Sequence, residues 1–500
     1  MNHQADDYDV IVLGSGPAGL IAGALLARKN HSVLLLRERG YQTFYDRTGY
    51  RFSPFSNFSE MRLRPSLLQK VSRELGLPFQ DGNSEEDSSV REDHGKSQRK
   101  VPFQVILPKA RIDLFDEPSL LQMEWRREFK DELAQIGAFY EELELIQGLL
   151  RTEENRDASP FFPIERRSFI QKWLSFLSTN YGTNKRLNSL SKEFREFVHL
   201  QLISLGNLFS DTFPVPLTAH LLLHEERGEW VSHMDLDGLE ERLFDSFLRS
   251  EGEIEEIEKA ERIEKGWKKG FTLSVEGDRR VFQSKFLILN SPLHFFSDIL
   301  GNEKKSISKW LMKIQPKYLL FPCFFGISEK VVPVGMGDLL VSMLDFGKPY
   351  EEGNVLFLSL SPKGDETAAP DGRRALTVQS LIPFGSWSQA ALTSHQESVM
   401  SHLNHLIPFL DRYLEFTDSE WANEQLGRWS YPHFLYETTR GFNWREGVIP
   451  TELSNDLYFT GKENFPYLGL EGEVLSGLMA AEQILKKVKL GTGSHFRFSS

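Results

Sequence analysis

The sequence predicts an α/β fold in which the two ends of the chain build one parallel-sheet domain and the middle builds a second, α+β domain inserted into it. Three observations carry this. An apolar, β-branched run from Tyr8 to Leu13 stops at a glycine-rich turn that opens a helix and then a second strand. A strand–glycine–helix unit closes the chain, DLYFTG followed by a helix from about Gly472 to Lys487. The stretch between these units is far too long for a loop.

The opening unit is read first. Gly14-Ser15-Gly16-Pro17-Ala18-Gly19 follows the first strand, LIAGALLARKN carries small and apolar residues at helical spacing, and Val33 to Leu36 forms the second strand. Gly14, Gly16 and Gly19 match the G-x-G-x-x-G pattern in its strand–turn–helix context. The first glycine permits the tight turn, the second lets the backbone approach a pyrophosphate, and the third allows helix to pack on strand. The helix start then offers unpaired N–H groups to phosphates. This is a Rossmann-type unit.

After it, residues 41–80 read as irregular and then helical, with Pro65 near a helix start. Residues 81–100 are polar and mixed in charge, a surface loop by composition. VPFQVILPKARIDLF alternates like a hairpin, and 118–205 is mostly helical. Strands are expected at EIEEIEKAERIEKG, FTLSVEG and VFQSKFLILN, then through 315–385, with a helix at 388–415. The domain reading is therefore 1–80, 226–300 and 426–490 for the nucleotide-type domain, and 101–225 and 301–425 for the inserted one. The loop 81–100 and a tail at 491–500 stand apart.

Length and charge narrow the function. At about 150 residues per domain, 500 residues suggest roughly three domains or two large ones. The net charge of -13 repels phosphate backbones, so nucleic acid is not an expected partner. The lone cysteine, Cys323, can form neither an internal disulfide nor a multi-thiolate metal site, and it reads as a buried small residue. The N-terminus is acidic and lacks a secretory apolar core, and no apolar run approaches the roughly 20 residues that span a bilayer. A cytoplasmic protein, at most peripheral to a membrane, is expected. The stretch from Phe197 to Leu223 reads either as buried helical core or as the lining of an apolar channel. His220 and His224 share helical spacing but lack a third ligand, so no metal is assigned. Oligomeric state is not legible.

The tip of the second strand is unusual. A carboxylate there would accept hydrogen bonds from a ribose diol. This chain has Arg37, then Glu38, then Arg39. Either Glu38 takes the role, or the two arginines meet a 2′-phosphate, or the adenosine end is weakly held.

GSGPAGLIAGALLARKNHSVLLL and YFTGKENFPYLGLEGEVLSGLMAAEQI resemble the flavin-dependent phytoene desaturase-like enzymes, which include carotenoid isomerases and retinol saturases within the amine-oxidase superfamily. Weaker similarity runs through VPFQVILPKARIDLF, MDLDGLEERLFDSFLRSEGEI and FLILNSPL. The resemblance implies FAD and an apolar, polyene-like substrate. Gly14, Gly16, Pro17, Ala18 and Gly19 would face the FAD pyrophosphate, with Arg37 or Glu38 toward the ribose and backbone at Ala260 toward the adenine. Gly461 would lie under the ribityl chain, and Leu470, Glu471 and Gly472 would start the helix that points at the flavin. Phe465, Tyr467 and Tyr431 are candidates for the substrate side. Three departures stand out: Arg37 replaces the family's acid, the family's Gly-Gly pair after the second strand is absent, and Lys462 replaces the acid after the last glycine. Lys462 would then lend positive charge to the pyrophosphate. Flavin redox chemistry on an apolar molecule needs little acid–base help, so no catalytic residue is assigned. The readings left open are an FAD oxidoreductase acting on an apolar polyene by desaturation, saturation or isomerisation, a non-enzymatic binding or scaffold descendant of the fold, and an amine or amino-acid oxidase relative.

Overall fold

The computed structural model describes residues 6–54, 63, 65–77, 103–115, 117–152, 185–223, 236–266, 270–277, 280–386, 389–425, 428–429, 433–439 and 447–493. The polar loop expected at 81–100, His224 and Tyr431 lie outside the described residues.

Among those residues, the first large sheet has the strand order Glu452–Ser454, Leu457–Phe459, Val281–Leu289, Asp6–Leu13, Val33–Glu38, Glu253–Ile257. Its central strands read as nearly continuous apolar runs, VIVL, VLLL and FLIL, because a parallel sheet is covered on both faces. Their register puts Leu36, Leu13, Leu289 and Phe459 in one row. The chain therefore leaves four neighbouring strands at one edge, and the opening and closing segments meet there. Main-chain bonds tie the exits together: Gly14 N–H to Leu36 O at 2.9 Å, Asn290 N–H to Leu13 O at 2.8 Å and Thr460 N–H to Leu289 O at 2.9 Å. A hairpin, Ala260–Lys265 with Phe271–Val275, joins the first half of Val281–Leu289.

On one face lies the helix Pro17–Ala27, buried from Ala18 to Ala27. It packs against Leu470–Gly493 and Leu236–Arg249. The approach is close because Gly477 has no side chain: a Cβ there would sit 2.4 Å from Ala18 O. The closing helix begins at Leu470 and runs to Gly493, so the first residues of the expected tail are helical.

The second sheet is largely antiparallel and belongs to the middle of the chain. Its order is Leu414–Asp418, Ile314–Ser328, Arg373–Pro383, Val355–Leu360, Leu339–Met343, Phe103–Ile106, Arg111–Leu114, and Phe434–Thr438 also pairs with Ile314–Ser328. Pro322 sits in that long strand where neither Leu414–Asp418 nor Phe434–Thr438 pairs with it, so its missing N–H removes no ladder bond on that side. The expected helix at 388–415 is Gln389–Leu406, a short turn Leu410–Tyr413, and then the strand Leu414–Asp418. Helices Pro118–Glu128, Leu133–Thr152, Lys192–Ser204 and Val215–Leu222 form the helical part of the inserted region. Ser191 caps Lys192–Ser204 by accepting from Phe194 N–H at 3.2 Å. Nearly all of the two helices within Phe197–Leu223 is buried, including His220, so this stretch is core. No described helix is long and apolar enough to cross a membrane.

Candidate functional site

A cleft opens where the strand exits converge, enclosing about 1010 Å³ with its mouth included. The glycine turn contributes Ser15, Gly16 and Pro17, and the last strand contributes Gly461, Lys462 and Glu463. Thus the first and last segments of the chain face one another across a single cavity. Tyr41, Thr43 and Ser53, from the segment that follows the second strand, line another wall.

Several features of the turn suit an anionic dinucleotide. Gly14 holds φ at +116°, and Gly16 opens the helix with no side-chain cap, leaving first-turn amides to a ligand. Ser15 Oγ is buried at the cleft with no hydrogen-bond partner among the described residues. Gly461 has φ +148°, and a Cβ there would meet only a ring carbon of Phe459 at 3.9 Å, so the backbone borders open space. Ser476 Oγ, from the closing helix, accepts from Gly461 N–H at 3.1 Å and fixes that strand end.

At the strand tip, the three charged side chains are engaged with other parts of this chain. Arg37 reaches sideways, its Nε donating to Glu256 at 3.0 Å and its guanidinium lying over Phe244, so it is committed to the neighbouring strand. Arg39 pairs with Glu258. Two arginines set out for a 2′-phosphate are therefore not what the strand presents. Glu38 is buried with Arg428 Nε 3.7 Å away, and Arg428 also donates to Arg39 O at 2.5 Å. Neither Glu38 nor Ala260 lines the cleft. Ala260 is buried at the start of its hairpin, opposite Val275.

Lys462 lies inside the cleft, 3.7 Å from Glu473 and 2.7 Å from His433 Nε2. Its charge is shared with a carboxylate of this chain. Burial, reinforced by Lys462, holds the His433 imidazole well below its usual range, so it is neutral at pH 7. Burial pushes the Glu463 carboxyl up to about 8, and Leu293 N–H donates to its Oε2 at 2.8 Å. Tyr436 is fully buried, and burial with Glu463 and Glu473 nearby drives its phenol well above its usual range. Sequence reading missed Glu240, Asn290, Glu463 and Glu473 as cleft residues. Only Glu463 and Glu473 carry a local signal, since they flank the terminal glycine motif.

At the start of the closing helix, Leu470 lines the cleft while Glu471 and Gly472 do not. Glu471 and Glu473 in its first turn weaken the positive end that the helix turns toward the cavity. Phe465 and Tyr467, expected beside the ligand, point into the core instead, 2% and 0% exposed. The reason is the loop's anchoring: Asn207 N–H bonds Pro466 O at 2.5 Å, and Gly206 lets the two backbones touch. The described residues hold no group of His, Cys, Asp and Glu able to bind a metal ion.

The chain is 22% identical to prolycopene isomerase of Arabidopsis thaliana over 533 aligned residues, covering 97% of this chain and 83% of that protein. Among solved structures, putrescine oxidase with putrescine bound matches at a TM-score of 0.61 with 14% identity, over 97% of this chain and 100% of that one. The chain shares its fold with that oxidase. Cyclohexylamine oxidase from Brevibacterium oxydans IH-35A agrees, with a TM-score of 0.56, 15% identity, and coverage of 97% and 100%. No protein-family model matches the chain. The α/β class with a Rossmann-type domain is thus as expected, and the similarity to prolycopene isomerase runs along 97% of this chain.

Proposed function

We propose that this protein is an FAD-dependent oxidoreductase of the phytoene desaturase and carotenoid isomerase kind, acting on an apolar polyene. One observation carries the reading: Ser15 to Pro17 and Gly461 to Glu463, from opposite ends of the chain, face each other across one cleft at the carboxyl ends of parallel strands. That is where dinucleotides bind in open α/β sheets. Similarity to prolycopene isomerase along most of the chain supports the substrate class.

In this reading, Ser15, Gly16 and the first-turn amides would hold the pyrophosphate, and Gly461 would let the backbone run close to the cofactor. The flavin supplies hydride exchange with the substrate when bound. Lys462 balances Glu473 and keeps one cation in a cleft that also holds Glu240 and Glu463. Burial favours the protonated form of Glu463, whose Oε2 accepts from Leu293 N–H. Tyr436, Phe459, Leu239 and Leu470 give the cavity apolar wall and exclude water.

A second reading, a binding protein that keeps the fold without the cofactor, is favoured by the commitment of Arg37 to Glu256 and of Arg428 to the Glu38 strand tip. A visible absorption spectrum separates the two. Flavin bands in the purified protein, or after addition of FAD, are expected. Protein that remains colourless after FAD addition overturns the enzyme reading. With flavin present, conversion of a cis-polyene to its isomers under reducing conditions, followed by chromatography, tests the substrate class.

A further inference from the structure

The space beneath the glycine turn is filled by a side chain of this protein. Asn290 follows the strand Val281–Leu289 and is 7% exposed. Its Nδ2 donates to Thr460 O at 3.0 Å, and its backbone N–H donates to Leu13 O at 2.8 Å. The bond to Thr460 sets the amide's orientation, since a flipped amide would set oxygen against oxygen. Oδ1 therefore faces the turn, buried and with no hydrogen-bond partner among the described residues. A Cβ at Gly19 would lie 2.5 Å from that Oδ1, and one at Gly16 would lie 3.0 Å from it. A Cβ at Gly14 would lie 2.0 Å from the backbone oxygen of the same residue.

We propose that Asn290 is the positioning residue of the turn: all three glycines of the motif are fitted to it, and it locks the opening segment to the closing one through Thr460. The turn is shaped by contacts within this chain. This changes how the glycines are read. At 16 and 19 the first group a new side chain meets is an amide of this chain. The consequence for flavin binding rests on the proposed function, but the lock itself does not.

The test is a set of double-variant cycles, read by urea unfolding of the full-length protein. Gly19→Ala should raise the unfolding constant by at least roughly tenfold in the natural background and far less in Asn290→Gly, because contacting residues couple. Gly14→Ala, whose clash is with backbone, should be equally damaging in both backgrounds. If Gly19→Ala yields no folded protein, recovery of folded protein in Gly19→Ala/Asn290→Gly supports the lock. An equal penalty for Gly19→Ala in both backgrounds, or no recovery, overturns it. The second readout is FAD titration under conditions where natural protein and Asn290→Gly are both fully folded. A rise in Kd of about tenfold or more is expected, and an unchanged Kd overturns the positioning role. A natural protein that never binds FAD defeats the enzyme reading while leaving the unfolding cycle to decide the lock.

Discussion

Arg428 Nε lies 3.7 Å from Glu38 Oε1 at the tip of the second strand, and the same guanidinium donates to the carbonyl oxygen of Arg39 at 2.5 Å. Glu38 is 5% exposed. A carboxylate taken from water needs a partner, and removing the partner leaves the desolvation cost standing. The arginine is itself partly exposed, so solvent screening lowers the worth of the pair.

Arg428→Met should therefore destabilise the protein by about 1–3 kcal/mol, below the value for a wholly buried pair. Arg428→Met with Glu38→Gln should recover part of the loss, because the buried carboxylate that faces Arg428 is then replaced by a neutral amide. Urea unfolding of the two variants checks this. A double variant as unstable as the single one would show that the hydrogen bonds to main chain, rather than the ion pair, are what Arg428 supplies.

This relationship also shows what sequence could and could not display. The glycine turn is legible because its residues follow one another and the strand before them ends in the apolar run Val10 to Leu13. The meeting of the chain's ends is legible because each end carries half of a recognisable unit. Asn290, Arg428 and Glu256 are not, since each acts through register with a strand distant in sequence: Arg37 stands opposite Glu256, and Leu289 opposite Leu13. Phe465 and Tyr467 look well placed by sequence order. The direction of their loop is decided by Asn207, more than 250 residues earlier in the chain.

Glu463 makes stability depend on pH. Its carboxyl is raised from 4.5 to about 8 by burial, so between those values the folded state holds a proton that the unfolded state has lost. Its contribution is fully present below about pH 4.5 and disappears as pH rises through about 8. Glu463→Gln keeps an acceptor for Leu293 N–H and cannot ionise. The variant should match the natural protein near pH 5 and exceed it above pH 8, by on the order of a few kcal/mol at most. Urea midpoints from about pH 4 to about pH 9, an interval bracketing the shift from 4.5 to about 8, measure the difference. Parallel curves for the two proteins would mean that the carboxyl titrates alike folded and unfolded.

Cys323 reports opening of the second sheet. It is 3% exposed on the long strand, opposite Val378, and burial with Asp418 nearby pushes its thiol up to about 12. A thiol that is neither ionised nor accessible does not attack a disulfide reagent. Labelling with a chromogenic disulfide in native buffer at pH 8 should be negligible over minutes. In urea it should become stoichiometric, with a rate that follows unfolding. Rapid, complete labelling of the native protein would contradict the burial.

Phe52 anchors the segment that walls the cleft. Tyr45–Arg47 and Tyr50–Phe52 form a small hairpin, and the Phe52 ring centroid lies 5.1 Å from Phe324 and 5.8 Å from Phe416 on the second sheet. Gly326 makes room for the hairpin, since a Cβ there would lie 2.5 Å from the ring of Tyr50. Phe52 is 1% exposed, so Phe52→Ala removes a wholly buried ring and should cost about 3–5 kcal/mol. Phe52→Leu, which keeps much of the volume, should cost markedly less. Tyr41 and Thr43 on one side of the hairpin and Ser53 on the other line the cleft, so loosening the anchor loosens that wall. Arg47 and Arg51 lie within the hairpin and are exposed, which makes trypsin the natural probe. Cleavage after either arginine should be slow in the natural protein, faster in Phe52→Ala and intermediate in Phe52→Leu, because a protease needs the segment to leave its seat on the sheet. Equal cleavage rates in all three proteins would mean that the aromatic contact does not hold the segment down.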